Sequence, residues 1–251
     1  MTPAKILFKL ATRGRANDFF EAIDSIYHNV WDLKNFHILV TAGEDDYTMN
    51  NEEVKGKLRI YDHLTIIFGE NSGKVQATNR DMDLKDQVWS DWDILINTAD
   101  DQRFIQPGFD DFIRVTMANI FPENDGFLHL YEPDAGAALP VLYCAGRKFY
   151  EVFNFIAHPQ YKSLFWDNYY FECAKLMKKY HFVGTHIFNH LCPAYTHHNK
   201  PRDAMFDRDQ ALWGYDENVF YKHKGRGYDL SIDDNGKFKF NLILDPTPGN
   251  D

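Results

Sequence analysis

The stretch Trp92-Asp93-Ile94-Leu95-Ile96-Asn97-Thr98-Ala99-Asp100-Asp101-Gln102-Arg103-Phe104 decides how this chain is read. Its apolar run, Ile94-Leu95-Ile96, is short and bounded by polar residues. That is the mark of a central strand in a parallel sheet covered on both faces, and not of a helix. The run ends in two adjacent carboxylates, Asp100 and Asp101. In open α/β sheets ligands bind beyond the carboxyl ends of the strands, so these acids stand where chemistry is expected. Neighbouring carboxylates repel unless a proton or cation lies between them, which makes a hard divalent ion their natural companion. The plain alternative is a solvated Asp-Asp turn; the flanking segments decide between the two.

Upstream, strand-like and helical patterns alternate. Lys5 to Ala11 reads as a strand, and Ala16 to Tyr27 places Phe19, Phe20, Ile23 and Ile26 at helical spacing, with Asn17 or Asp18 as cap. Phe36 to Val40 is a second strand, followed by a polar helix from about Asn51 to Leu58. Leu64 to Phe68 is a third, followed by a helix from about Lys74 to Val88. With the Trp92 to Asn97 segment as the fourth strand, this order predicts a right-handed, doubly wound, mostly parallel three-layer αβα sheet. Beyond the acid pair we expect a helix from Pro107 to Asn119, strands at Phe127 to Tyr131 and Leu139 to Cys144, and helices at Lys148 to Ile156 and Phe165 to Tyr180. Alternating runs around Asn235-Gly236 predict a terminal β-hairpin with a type I′ turn, ahead of a frayed tail, DPTPGND. The expected division is a nucleotide-binding and catalytic unit over 1–224 and the hairpin with its tail over 225–251.

With 251 residues, 44% hydrophobic and 25% charged, the chain can bury a full core without disulfides or metals to staple it. Its 16% aromatic content permits stacking on bases or sugars without demanding it. A net charge of -10 disfavours a general nucleic-acid or anionic-membrane binder. Cys144, Cys173 and Cys192 are irregularly spaced, which suggests reduced thiols and neither a zinc knuckle nor a disulfide framework. The amino terminus, broken by Lys9, reads as a first strand and not a signal peptide, and no stretch has the length of a membrane span, so a cytoplasmic location is expected.

Four strand ends then supply a set of charges. After the first come Thr12-Arg13-Gly14-Arg15, where two guanidinium groups suit bidentate phosphate recognition. After the second come Glu44-Asp45-Asp46, which can accept hydrogen bonds from a ribose or base, or simply cap a helix. After the third, Gly69 to Val75 imitates a phosphate-binding P-loop but fails on count, and Val75 stands where a Ser or Thr is needed. Lys74 at a helix start remains a diphosphate candidate beside its reading as a solvated lysine. With Asp100 and Asp101 the four ends make an inventory for a nucleoside diphosphate and its metal.

The order of these motifs resembles the GT-A glycosyltransferases of the family 2 type, particularly compact bacterial and phage enzymes. In that resemblance TRGR matches the Ser/Thr-Arg motif after the first strand, and EDDYTMNN the acidic motif facing the nucleoside. GKVQATNRDM matches a Lys-to-Asn helix motif at Lys74 and Asn79, and NTADD the metal-binding DxD-like motif. The likeness runs on through LPVLYCAGRKFYEVFNFIAHPQYKSLFWDNYYFE and HHNKPRDAMFDRD, over roughly residues 5 to 210. It implies a donor linked to UDP or GDP, held by Thr12, Arg13, Arg15, Asp45, Asp46, Lys74, Asn79 and Asp100. It also implies Mn2+ or Mg2+ on Asp100 and Asp101, with His198 as a late histidine brought to the metal. Two departures stand out: Thr98 occupies the first acidic position of the DxD-like motif, and Trp166-Asp167-Asn168-Tyr169 lacks the usual neighbouring acid, the next being Glu172.

The reaction so implied is displacement at the anomeric carbon of an activated sugar. Asp167 would act as the base that takes the acceptor hydroxyl's proton, and the metal would stabilise the departing diphosphate as a Lewis acid. The resemblance implies inversion of configuration; the acceptor would be a saccharide or another hydroxyl. Trp166 and Tyr169 are candidates to stack on the acceptor or to be core. His186 and His190 have the i, i+4 spacing of a metal pair but lack a following Glu, and read as structural. Two other functions compete. A sugar nucleotidyltransferase would need a glycine-rich signature after the first strand, where only Gly14 is present, and a non-catalytic nucleotide-binding or assembly module would keep the fold without the turnover. An exposed hairpin edge makes a homodimer a further expectation.

Overall fold

The computed structural model describes residues 2–83, 87, 89–198 and 200–245. A seven-stranded sheet forms its centre. The strands are β1 (Ile6–Thr12), β2 (Phe36–Gly43), β3 (Leu64–Gly69), β4 (Ile94–Thr98), β6 (Phe127–Leu130), β7 (Tyr143–Gly146) and β8 (Tyr180–Val183), while β5 (Gln102–Phe104) lies outside the sheet. The order is β3-β2-β1-β4-β7-β6-β8. Pairing is parallel throughout except where β7 meets β4 and β6, so the sheet is doubly wound and mostly parallel, as expected. The chain winds outward from β1 through β2 to β3, then returns to place β4 on the other side of β1. The crevice beyond the ends of β1 and β4 is therefore the topological switch point.

The period of two along β1 sorts its side chains into two cores. Ile6, Phe8 and Leu10 pack with Phe19, Ile23 and Ile26 of α1 (Ala16–Asn29), Val54 and Leu58 of α2 (Glu52–Leu58), and Ile113 and Met117 of α4 (Phe109–Ile120), which follows α3 (Lys74–Asn79). Leu7 faces the other way, towards Val75 of α3, Phe149 and Phe153 of α5 (Arg147–Phe153), Tyr170 and Cys173 of α6 (Trp166–Leu176), and Val219 of α8 (Trp213–Gly225). Each buried Phe or Leu contributes about 1.5–3 kcal/mol relative to exposure, so neither helical layer can be shed. Cys144 and Cys173 are buried in these cores and all three thiols are unbridged.

Local departures from the sequence reading have physical causes. The helix expected to reach Val88 stops at Asn79, because Arg80 turns extended and spreads its guanidinium over the carbonyls of Ala42, Ile67 and Glu70. Residues 84–86 and 88 of that expectation lie outside the described residues. The strand expected over Leu139 to Cys144 runs from Tyr143 to Gly146, since only there does the chain reach β4. The helix expected to reach Tyr180 ends at Leu176, and Lys178 turns left-handed to feed β8. The terminal hairpin pairs β10 (Leu230–Ile232) with β11 (Phe238–Phe240). Its turn is longer than type I′: Gly236 alone of the Asn-Gly pair has positive φ, and the Asp233 carboxylate accepts the amides of Asn235 and Lys237. The hairpin packs on the body through Phe240, whose ring lies 5.3 Å from those of both Phe153 and Phe155. The expected frayed tail falls on 246–251, outside the described residues.

Lys9 is the anomaly of the core. Fully buried in β1, it donates to Thr41, whose hydroxyl in turn donates to Asp81 at 2.7 Å. Burial, opposed by the Asp81 charge, brings its pKa down to about 7. An unfolded lysine titrates near 10.5, so between the two values the unfolded chain binds the extra proton and stability rises with pH. Urea unfolding across that window is expected to show Lys9→Met more stable than the wild type near the lower end, with the difference shrinking as pH rises. The effect is on the order of a few kcal/mol. A difference independent of pH would mean that Lys9 keeps its charge in the fold.

Candidate active site

Beyond the carboxyl ends of β1 and β4 lies a cavity of about 480 Å3. Its floor is Asp100 and Asp101, placed by the turn that follows β4. The β1–β4 register sets Leu10 opposite Thr98, which carries the next residues of both strands into the same crevice. There the Thr12 hydroxyl donates to Asp100 at 2.9 Å and Arg15 donates to the other oxygen at 3.2 Å. Thr98, where the DxD-like motif would have its first acid, instead donates to Gln102 at 2.8 Å and holds the turn.

Asp101 faces the opposite wall. β5 pairs antiparallel with β9 (Phe188–His190), setting Gln102 opposite His190 and bringing His190 Nε2 to 3.6 Å from Asp101 Oδ1. That oxygen is buried and has no hydrogen-bond partner among the described residues. Burial and the neighbouring Asp101 push the Asp100 carboxyl up to about 6. Asp101 is also desolvated, but His190, Lys200 and Lys74 outweigh that and hold it below the usual range. The pair thus carries one charge more easily than two, and a cation between them would let both ionise.

Around this floor stand groups able to meet an anion or a ring. Arg13, Arg15 and Lys74 line the cavity together with Asn71 and Ser72 of the loop before α3, and Tyr195 and Phe206 add aromatic faces. The cations are not idle. Arg15 forks onto Asp203 at 2.6 and 2.8 Å, and Lys74 lies 3.4 Å from Asp209. Both acids belong to α7 (Ala204–Ala211) or its cap, so these ion pairs clip α7 to the cavity. Asp167 opens α6 in the cavity wall, and burial raises its carboxyl pKa. The loop before it is fixed by Asp216, a fully buried α8 residue that accepts the amides of Lys162, Ser163 and Leu164.

Of the residues singled out from sequence, Thr12, Arg13, Arg15, Lys74, Asp100, Asp101 and Asp167 meet in this cavity. Four do not line it. Asp45 makes a two-pronged ion pair with Arg13 at 2.6 and 2.7 Å, in space that exists because position 43 is glycine: a Cβ there would lie 2.7 Å from both groups. Asp46 is buried and accepts the Gly14 amide at 2.8 Å and the Thr48 hydroxyl, shaping the loop. Asn79 spends both ends of its amide on the backbone of Ile156 and Ala157. His198 lies on Asp134 at 2.7 Å, away from the acid pair. Tyr169 is fully buried with its hydroxyl on the Tyr228 carbonyl, which rules out acceptor stacking, and Trp166 donates to the Ser163 carbonyl. Glu172 pairs with Lys175 outside the cavity.

Sequence reasoning read His190 as structural, whereas it stands 3.6 Å from Asp101, and it missed Asp203, Asp209 and Asp216. Asp203 carried a signal, since an acid before a helical segment is a preferred cap and its carboxylate does accept the Phe206 amide at 2.8 Å. The positions of the other three follow from long-range packing alone.

No protein-family model matches the chain, and no curated protein matches it. Solved structures do. The mannosyltransferase PcManGT from Pyrobaculum calidifontis, in complex with GDP-Man and Mn2+, superposes with a TM-score of 0.54 at 15% identity, covering 74% of this chain and 57% of that one. S. aureus TarS 1-349 in complex with UDP-GlcNAc gives 0.56 at 11% identity, over 79% of this chain and 62% of that one. The complex of TarS 1-349 with UDP gives 0.56 at 12% identity, over 74% and 60%. The chain therefore spans about three fifths of the length of these proteins. Likeness at such low identity is a statement about architecture, and the architecture is the GT-A-like fold of these structures.

Proposed function

We propose that this chain is a glycosyltransferase that moves a sugar from a UDP- or GDP-linked donor to a hydroxyl acceptor, inverting the anomeric configuration. The observation that carries the reading is the buried Asp100–Asp101 pair at the switch point, ringed by Arg13, Arg15 and Lys74 in one cavity. Neighbours of this fold whose names include GDP-Man with Mn2+, UDP and UDP-GlcNAc support it. Among the described residues, the unpartnered Asp101 oxygen and the raised Asp100 carboxyl fit a divalent ion, Mn2+ or Mg2+. Asp100 and Asp101 would hold it, with His190 the nearest imidazole in place of His198. When bound, that ion supplies Lewis-acid stabilisation of the departing diphosphate.

The chain's own residues do the rest. Arg15 and Lys74 exchange Asp203 and Asp209 for the diphosphate oxygens, so donor binding loosens the clips on α7. Tyr195 and Phe206 offer faces to the base or sugar and keep water out. Asp167 accepts the acceptor's hydroxyl proton as the new bond to the anomeric carbon forms and the bond to the diphosphate oxygen breaks. Its raised pKa makes it a better proton acceptor than an exposed aspartate. Asp45, Asp46 and Asn79 contribute by shaping the loops around the donor. We place this catalytic unit in residues 1–224 and a hairpin with its tail in 225–251, the paired strands β10 and β11 bracing α5.

A nucleotidyltransferase is disfavoured, because the one glycine after β1, Gly14, already has its amide on Asp46. The non-catalytic reading draws support from the way α7 already satisfies Arg15 and Lys74.

Calorimetry with UDP, GDP and CDP, each with and without Mn2+, is expected to show one nucleotide binding in a metal-dependent way. Asp100→Ala should reduce that binding at least roughly tenfold while the melting temperature is kept; no binding of any diphosphate sinks the proposal. With the cognate donor, Asp167→Asn should leave donor affinity within about twofold and lower turnover by about two to four orders of magnitude. The wild-type rate should fall on the acid side at a pH above the usual aspartate range, since a raised pKa protonates the base earlier. Normal turnover in Asp167→Asn, with donor binding intact, favours a base elsewhere.

A further inference from the structure

A second cluster stands apart from the acid pair, where the β6–β7 loop meets the segment leading from β9 to α7. Asp134 comes from the loop, and His197 and His198 from a single 3-10 turn, Thr196–His198. His198 Nε2 lies 2.7 Å from one Asp134 oxygen and His197 Nε2 lies 3.1 Å from the other. The two rings are 4.1 Å apart, and a ligating atom from each of the three residues lies within 4.8 Å of the other two. Adjacent side chains on any regular backbone point apart, so two consecutive imidazoles converging on one carboxylate is a specific arrangement and not a by-product of secondary structure.

The loop that carries Asp134 is held in place by a neighbouring acid. Glu132 is 1% exposed, and its Oε2 accepts the amides of Asp134 and Ala135 at 3.0 and 2.9 Å. Its Oε1 is buried with no hydrogen-bond partner among the described residues, and through its other oxygen Glu132 fixes the turn that presents Asp134. The two oxygens of one half-buried carboxylate, Asp134, thus face two imidazole nitrogens, all of them groups that ligate a metal.

We infer that Asp134, His197 and His198 form a divalent-metal site of the zinc class, on residues that do not line the donor cavity. The donor set is two imidazoles and one carboxylate. Mg2+ and Ca2+ favour oxygen-only shells and soft Cu(I) favours sulfur, whereas mixed nitrogen and oxygen sets suit Zn2+. The ligand atoms need little movement: their 2.7 and 3.1 Å spacings are slightly shorter than the roughly 3.3 Å edge that metal bonds of about 2.0 Å give a tetrahedron. The ion would staple the β6–β7 loop to the segment that runs into α7, and so set the span across the cavity mouth. It stands independently of the glycosyltransfer reading.

The test is titration of chelator-dialysed full-length chain with Zn2+, followed by calorimetry and, with Co2+ as a spectroscopic substitute, by visible absorption. The expected result is one Zn2+ per chain, not displaced by a large excess of Mg2+. Asp134→Asn and His198→Ala should each weaken it by about tenfold or more, whereas Asp100→Ala should not. His197 is 62% exposed at its side chain, so His197→Ala checks the site without disturbing the core, and it too should weaken binding. Absence of Zn2+ binding by the folded wild type, wild-type affinity in all three ligand variants, or equal competition by Mg2+ would each overturn the assignment. Because the readout is Zn2+ itself, it is unaffected by whether any sugar is transferred.

Discussion

The constraint on which this molecule turns is the placement of two carboxylates side by side in a poorly solvated crevice. Asp100 and Asp101 cannot both be charged there at no cost, and every contact around them answers that problem. Thr12 and Arg15 donate to one, and His190, Lys200 and Lys74 bias the other. Such a balance is poised for a cation and, behind it, an anion. The same physics explains α7: Arg15 and Lys74 pair with Asp203, its cap, and Asp209, within it, and so hold the helix at the cavity.

The fold serves this constraint through its switch point. The sheet reverses its winding between β1 and β4, and that reversal opens the crevice that a continuous sheet would fill with connecting helices. The short β5–β9 ladder then brings a histidine from nearly ninety positions later to the acid pair. Buried polar anchors hold the surrounding loops: Asp216 the approach to α6, Asn79 the Ile156–Ala157 turn, Asp46 the loop after β1. Each is satisfied by backbone amides, which makes these residues structural supports of the site and not its surface.

Among proteins of known structure the likeness lies in architecture, with identities near one residue in eight. That pattern fits the physics. A doubly wound sheet needs only apolar runs at the right spacing, which many sequences provide, whereas a chemical site needs particular groups at particular strand ends. Described helices offer no span long and apolar enough to cross a membrane.

The amino-acid sequence by itself determined the first four strands, their alternation with helices, and the charged inventory at their ends. Those features are local: apolar runs of five or six residues, glycine turns and caps depend on neighbours in the chain. It also singled out Asp100 and Asp101, because acids at a strand end stand out against apolar flanks, whereas Asp167 was picked out by the family resemblance. Tertiary structure alone decided the rest. Asp45 and Asp46 looked like nucleoside ligands, yet Arg13 and the Gly14 amide were nearer partners once β1 and β2 lay side by side. Asn79 and His198 were turned to the Ile156–Ala157 backbone and to Asp134, and His190 was drawn in, by pairings between segments dozens of residues apart. A hydrogen bond is won by whichever group packing brings within 3 Å, and that distance is set by the fold and not by order along the chain.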